Sequence, residues 1–203
     1  MGGDYYDFLD LGAGRVALVQ ADISGKGISA AMLMASLQAN LRSQYALARE
    51  DLARLLRSVN RLFYESTEPA HFATLFFGTY EDATRRLRYA NCGHGRPVLL
   101  RRNGTLERLS PTVTVLGLFE QWDPAPQELT LSPGDTLVIY TDGVTDAMSD
   151  DGEDFGEDRL LETLEANREL SVPSLLSAVV TMVEKFSGRE QEDDLTLLVA
   201  RAR

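Results

Sequence analysis

The pattern of apolar and polar positions changes period along the chain. Arg15 to Ile23 (RVALVQADI) is rich in β-branched residues and follows glycine, which predicts a strand. Lys26 to Ala48 then predicts a long helix crowded with Ala, Met and Leu. It is apolar on nearly all sides, the pattern of a helix buried against a sheet. From Asp51 onward, Leu52, Leu55, Leu56, Val59, Leu62 and Phe63 recur at helical spacing. Glu50 and Asp51 lie near the start of that helix, where its dipole favours negative charge.

After this the period becomes that of strands, over His71 to Tyr80, Arg86 to Cys92, Val98 to Arg102, Leu106 to Ser110, Glu128 to Ser132 and Thr136 to Thr141. Asn103-Gly104 and Pro133-Gly134 supply turns between them. Helices are predicted over Glu157 to Asn167 and Pro173 to Ser187, and an apolar strand, Leu195 to Ala200, closes the pattern. No repeat or low-complexity linker interrupts the chain, so residues 1–203 read as a single domain. Strands cluster into hairpins instead of alternating with helices. The predicted class is α+β, with two stacked antiparallel β-sheets flanked by helices.

Composition narrows the function. Of 203 residues, 44% are hydrophobic and 25% charged, ordinary values for a globular chain. The net charge of −11 repels nucleic-acid phosphates and anionic lipid, so neither is expected as a partner. One cysteine and two histidines exclude an internal disulfide and an ordinary structural zinc site. The most apolar stretch, Ile28 to Leu41, is interrupted by Ser and Asn, and the N-terminus lacks the pattern of a signal peptide. Tyr6 stands where a myristoylation signal needs Ser or Thr. The chain reads as cytoplasmic.

The aspartates carry the candidate chemistry. Asp22 ends a strand before Ile-Ser-Gly-Lys-Gly, Asp142 ends another before Gly143, Asp193 and Asp194 precede the last strand, and Asp4 follows two glycines. Charges flanking buried segments are costly unless compensated, and Lys26 is the one basic residue beside these motifs. Hard divalent cations with oxygen ligands would compensate several carboxylates at once. A strand-end Asp that merely makes a turn is the plainer reading of any one of them.

Six motifs occur in order: Gly-Gly-Asp-Tyr-Tyr-Asp (2–7), Ala-Asp-Ile-Ser-Gly-Lys-Gly (21–27), Asn-Cys-Gly-His (91–94), Tyr-Thr-Asp-Gly-Val-Thr-Asp-Ala (140–147), Phe-Gly-Glu-Asp-Arg-Leu (155–160) and Glu-Asp-Asp-Leu-Thr (192–196). Together they resemble the SpoIIE/RsbU branch of the metal-dependent PPM (type 2C) serine/threonine protein phosphatases. The resemblance implies an αββα sandwich with two Mn²⁺ or Mg²⁺ ions. It implies that Asp22 bridges both ions with help from the Ile23 carbonyl, that Asp142 and Asp193 hold one ion, and that Asp4 holds the other. Asp146 resembles a ligand of a third, weaker ion found in some relatives, whereas Asp7 and Asp194 are expected to be supporting or structural. The implied reaction is in-line attack of a metal-activated water on a phosphoserine or phosphothreonine ester, without a phospho-enzyme. The implied substrate is a phosphorylated regulator such as an anti-sigma-factor antagonist of the STAS type. A homodimer or a regulatory sensor domain is the further partner left open.

Departures from the wider superfamily are visible. No His follows Asp22, so a general acid from that place is absent, and no Arg precedes Asp4 to clamp phosphate. The chain starts at the first motif, where the resemblance implies an earlier strand and a sensor domain. It therefore reads as the C-terminal part of a longer protein, with Asp4 on a frayed end. Cys92 and His94 are expected as a packed thiol and a hydrogen-bonded imidazole, Trp122 as a loop anchor, and the acidic stretch from Asp146 to Asp158 as a solvated loop. Ser-Gly-Lys-Gly lacks the residues of a P-loop, and no serine-hydrolase elbow is present. Two rivals remain beside the enzyme: a non-catalytic pseudo-phosphatase that binds a phosphoregulator or partner domain, and a phosphatase that is silent until a partner activates it.

Overall fold

A computed structural model describes residues 2–47, 51–68, 71–188 and 194–203, with 46 and 47 defined by helical backbone alone. The chain divides into two compact units, residues 1–94 with 110–130, and residues 95–109 with 131–203.

The first unit is built on a five-stranded antiparallel sheet ordered β1-β2-β3-β4-β7. Its strands are β1 (Tyr5–Gly12), β2 (Arg15–Ile23), β3 (Ala73–Glu81), β4 (Arg86–Cys92) and β7 (Gln127–Thr130). Alternation directs Ala17, Val19, Ala21 and Ile23 of β2, with Leu75 and Phe77 of β3, into a core shared with two helices. Helix α1 (Ile28–Leu47) and helix α2 (Leu52–Ser66) cover that face. Asp51 caps α2 by accepting from the Arg54 N–H at 2.9 Å. Leu52, Leu55, Leu56, Val59 and Phe63 form its buried stripe, as the periodicity requires.

Helix α1 departs from its expected burial. Ala30, Leu37 and Leu41 are buried, with Leu33, Met34 and Tyr45 packed beside them, but Ile28 and Met32 are 72% and 69% exposed. The helix rests one stripe on the sheet beside α2, so apolar residues on its other sides stay open. Strand β1 is an element the periodicity did not reveal, because Tyr6 and Phe8 put aromatic rings on its exposed face and blur the alternation.

The second unit holds a four-stranded antiparallel sheet ordered β6-β5-β8-β9. It consists of β5 (Val98–Leu100), β6 (Leu106–Arg108), β8 (Thr136–Tyr140) and β9 (Leu197–Arg201), with helices α3 (Asp142–Thr145), α4 (Gly156–Ala166) and α5 (Val172–Ser187). Val98, Leu100 and Val138 pack with Phe155, Leu160, Leu164, Leu175, Val179 and Val183. The class expected from the sequence, α+β with antiparallel sheets and helices, is the class found. No helix among the described residues is long and apolar enough to cross a membrane.

Candidate metal and phosphoryl-transfer site

In the first unit the pairing of β1 with β2 aligns Tyr5 with Ala21. Two residues further out the Ile23 N–H donates to the Gly3 carbonyl at 3.3 Å. Asp4 and Asp22, between these two pairs, therefore lie opposite each other at adjoining strand ends. On its other side Asp22 is in register with Thr74 of β3. The turn after Ile23 is pinned twice: the Ser24 N–H donates to the Phe72 carbonyl and the Phe72 N–H to Ser24 Oγ, each at 2.9 Å.

Gly3 makes this approach possible. A Cβ there would stand 2.6 Å from the Ile23 carbonyl oxygen, the backbone oxygen expected to face metal. The two half-buried carboxylates and the Ile23 carbonyl are hard-oxygen donors of the kind that Mg²⁺ or Mn²⁺ takes. Like charges placed opposite each other on paired strands are destabilising, and a bound cation would relieve that repulsion.

Asp7 serves the scaffold. It accepts from Tyr5 Oη at 2.7 Å, from Arg42 Nε at 2.8 Å and from the Phe8 N–H at 2.9 Å. Burial alone would raise its carboxyl, but the Arg42 and Tyr5 hydrogen bonds outweigh that and hold it below the usual carboxylate range. Because Arg42 lies on α1, this pair ties the helix to the strand that carries Asp4. His94 is 3% exposed, with Nδ1 2.8 Å from Thr74 Oγ1, and Cys92 is fully buried. Trp122 is the anchor expected, its indole N–H donating to the Thr114 carbonyl at 2.9 Å.

In the second unit, β8 and β9 continue their register beyond Tyr140. The Thr141 N–H donates to the Thr196 carbonyl, and the Thr196 N–H donates to Thr141 Oγ1, both at 3.1 Å. The chain then turns into α3 at Asp142, a short helix the sequence pattern did not reveal. A Cβ on Gly143 would run into the Asp194 carbonyl, so glycine lets this turn approach the segment entering β9. Asp146 lies one turn after Asp142, its N–H donating to the Asp142 carbonyl at 2.7 Å. Thr145 Oγ1 donates to Asp146 Oδ1 at 3.0 Å.

Asp193 lies outside the described residues. Among the described residues, no group of three or more His, Cys, Asp or Glu stands together as a metal cage. Asp150, Asp151, Glu153 and Asp154 are exposed on a turn closed by the Met148–Asp154 bridge, as expected of a solvated loop, whereas Glu157 and Asp158 of the same expected stretch lie in α4, where a helix is also predicted. The Phe-Gly-Glu-Asp-Arg motif anchors α4: Phe155 meets Phe186 edge-on at 5.5 Å, and Arg159 lies 4.6 Å above the same Phe186 ring. Glu157 of this motif accepts from Arg96 at 3.1 Å and Arg108 at 2.8 Å. Sequence spacing could not have found Thr74, because only strand register brings it to Asp22.

The pattern of the family described as Stage II sporulation protein E (SpoIIE) matches residues 12–203. Protein IcfG of Synechocystis is 32% identical over 97% of this chain and 35% of its own length. Phosphoserine phosphatase RsbU of Bacillus subtilis is 28% identical over 100% of this chain and 60% of its own length. The chain thus spans between a third and three-fifths of these curated relatives. The SiaA-PP2C domain of Pseudomonas aeruginosa superposes with a TM-score of 0.88 over 98% of this chain and 80% of that chain, at 22% identity. RsbX in complex with magnesium superposes at 0.75 over 100% of this chain and 88% of that chain, at 17% identity. Matched along nearly its whole length by the family pattern and carrying the type 2C fold, the chain belongs to the SpoIIE/RsbU branch of the PPM (type 2C) phosphatase superfamily.

Proposed function

We propose that the chain is a divalent-metal-dependent phosphoserine/phosphothreonine protein phosphatase. The observation that carries this reading is the facing pair Asp4 and Asp22, set at paired strand ends beside a carbonyl that Gly3 keeps uncovered. Membership of the SpoIIE family supports it, as does the phosphoserine phosphatase activity in the name of RsbU. Magnesium in the related fold of RsbX supports the choice of a hard cation.

In this reading Asp4, Asp22 and the Ile23 carbonyl hold metal from the first unit. Asp142 and Asp193 of the second unit are candidate metal ligands as well, and Asp146 is the candidate for a weaker third ion. The cations, when bound, supply an activated water and neutralise charge on the phosphoryl oxygens. The protein's own part is to present carboxylates in fixed directions. Gly3 and Gly143 allow the necessary backbone approaches, and Asp7 with Arg42 steadies the strand bearing Asp4. A chain with net charge −11 needs cations to accept a phosphate dianion. The substrate class is a phosphorylated protein regulator, such as a STAS-type anti-sigma antagonist, whose partner binding would change on dephosphorylation.

A non-catalytic phosphoregulator binder is the second reading. It draws on the absence of a three-ligand acidic cage among the described residues. Hydrolysis of p-nitrophenyl phosphate with Mn²⁺, with Mg²⁺ and with EDTA separates the two. The phosphatase reading predicts turnover with metal, none with EDTA, and none for Asp22→Asn. An Asp22→Asn variant that turns over at the wild-type rate would refute the metal assignment.

A further inference from the structure

Asp22 is flanked on both sides, and the side away from Asp4 belongs to Thr74, its register partner on β3. Side chains directly opposite on antiparallel strands leave the same face, with Cβ atoms about 4.5–5.5 Å apart. Thr74 Oγ1 lies 2.8 Å from His94 Nδ1. His94 follows the end of β4, where Gly93 bridges to Leu75, so the backbone itself brings the imidazole to Thr74. The imidazole is 3% exposed, and a buried polar group is costly to place unless its bonds are made.

We propose that Thr74 and His94 are positioning residues that orient the Asp22 carboxylate. With its proton on Nδ1, His94 donates to Thr74 Oγ1. A hydroxyl carries one donor and two acceptor sites, so this bond leaves the hydroxyl hydrogen to be donated across the strand pair to Asp22. One carboxylate oxygen is thereby held, and the other presents a fixed direction to a cation. Threonine suits the role because branching at Cβ restricts χ1. The inference rests on the reading that Asp22 holds metal.

Calorimetric titration of the chain with Mn²⁺, beside thermal unfolding in EDTA, tests it. Partners of metal-binding carboxylates set affinity by about 10- to 100-fold. Thr74→Val and His94→Ala should therefore weaken Mn²⁺ binding at least tenfold while still unfolding cooperatively in EDTA. Thr74→Ser restores the hydroxyl, and His94→Asn restores a donor near the Nδ1 position. Both should bind Mn²⁺ nearly as wild type. Asp22→Asn is the reference and should lose binding. Wild-type affinity in Thr74→Val, with binding lost in Asp22→Asn, overturns the positioning role and leaves the metal reading intact. Equal losses in Thr74→Val and Thr74→Ser would mark Thr74 as packing and also overturn it. Undiminished binding in Asp22→Asn removes the metal reading, and the positioning role with it.

Discussion

Asp135 shows how this protein uses single carboxylates away from the candidate metal ligands. It is 2% exposed and accepts from the Arg102 and Ser132 N–H groups and from Arg101, each at 2.9 Å. Burial would raise its carboxyl, but the two backbone donors and Arg101 outweigh it, so the folded value lies below the unfolded one. The stability it contributes is complete above the unfolded value of about 4 and is lost as pH falls through the folded value. Asp135→Asn should cost about 2–3 kcal/mol and flatten the acid limb of a melting-temperature profile below about pH 4. An unchanged acid limb would contradict that assignment. Cys92 makes the opposite case: burial pushes its thiol up, away from thiolate chemistry. A thiol reagent should modify Cys92 only in denaturant, and prompt labelling of the native protein would exclude the packed role.

Among elements, hydrophobic period identified most strands and four of the five helices of the described residues, because each buries one regular stripe or face. Helix α2 is the clearest instance, since Leu55, Leu56, Val59 and Phe63 follow the helical period and are buried. Period failed where both faces of an element carry apolar groups. Tyr6 and Phe8 hid β1, and the many alanines and methionines of α1 suggested burial on sides that are open. The four-residue α3 is too short for period to register at all. The carboxylates were legible as strand-end residues, but their neighbours were not. The approach of Gly3 to Ile23, and the pairing of Asp22 with Thr74, depend on register, which local sequence does not encode. That register gives a prediction for β1. Gly3→Ala should push the strand entry away from Ile23 and lower kcat/KM by about 100-fold, as expected of a misplacement near 1 Å. Of the core the new Cβ meets Ile23 at its edge, so unfolding should stay cooperative at a lower melting temperature. Unaltered turnover would show that the approach at Gly3 is dispensable.

For the whole molecule, the expected ligands divide between the two units: Asp4, Asp22 and Ile23 in the first, and Asp142, Asp146 and Asp193 in the second. The central claim is that phosphate-ester hydrolysis needs metal, with Asp22 and Asp142 each among its ligands. Its most direct test is phosphate release from a phosphoserine peptide in Mn²⁺ and in EDTA, for wild type, Asp22→Asn and Asp142→Asn. The account predicts metal-dependent release by wild type and loss of at least 100-fold in either variant, the scale on which a removed metal-centre charge acts. Wild-type release in EDTA, or full activity in one of the variants, would contradict it.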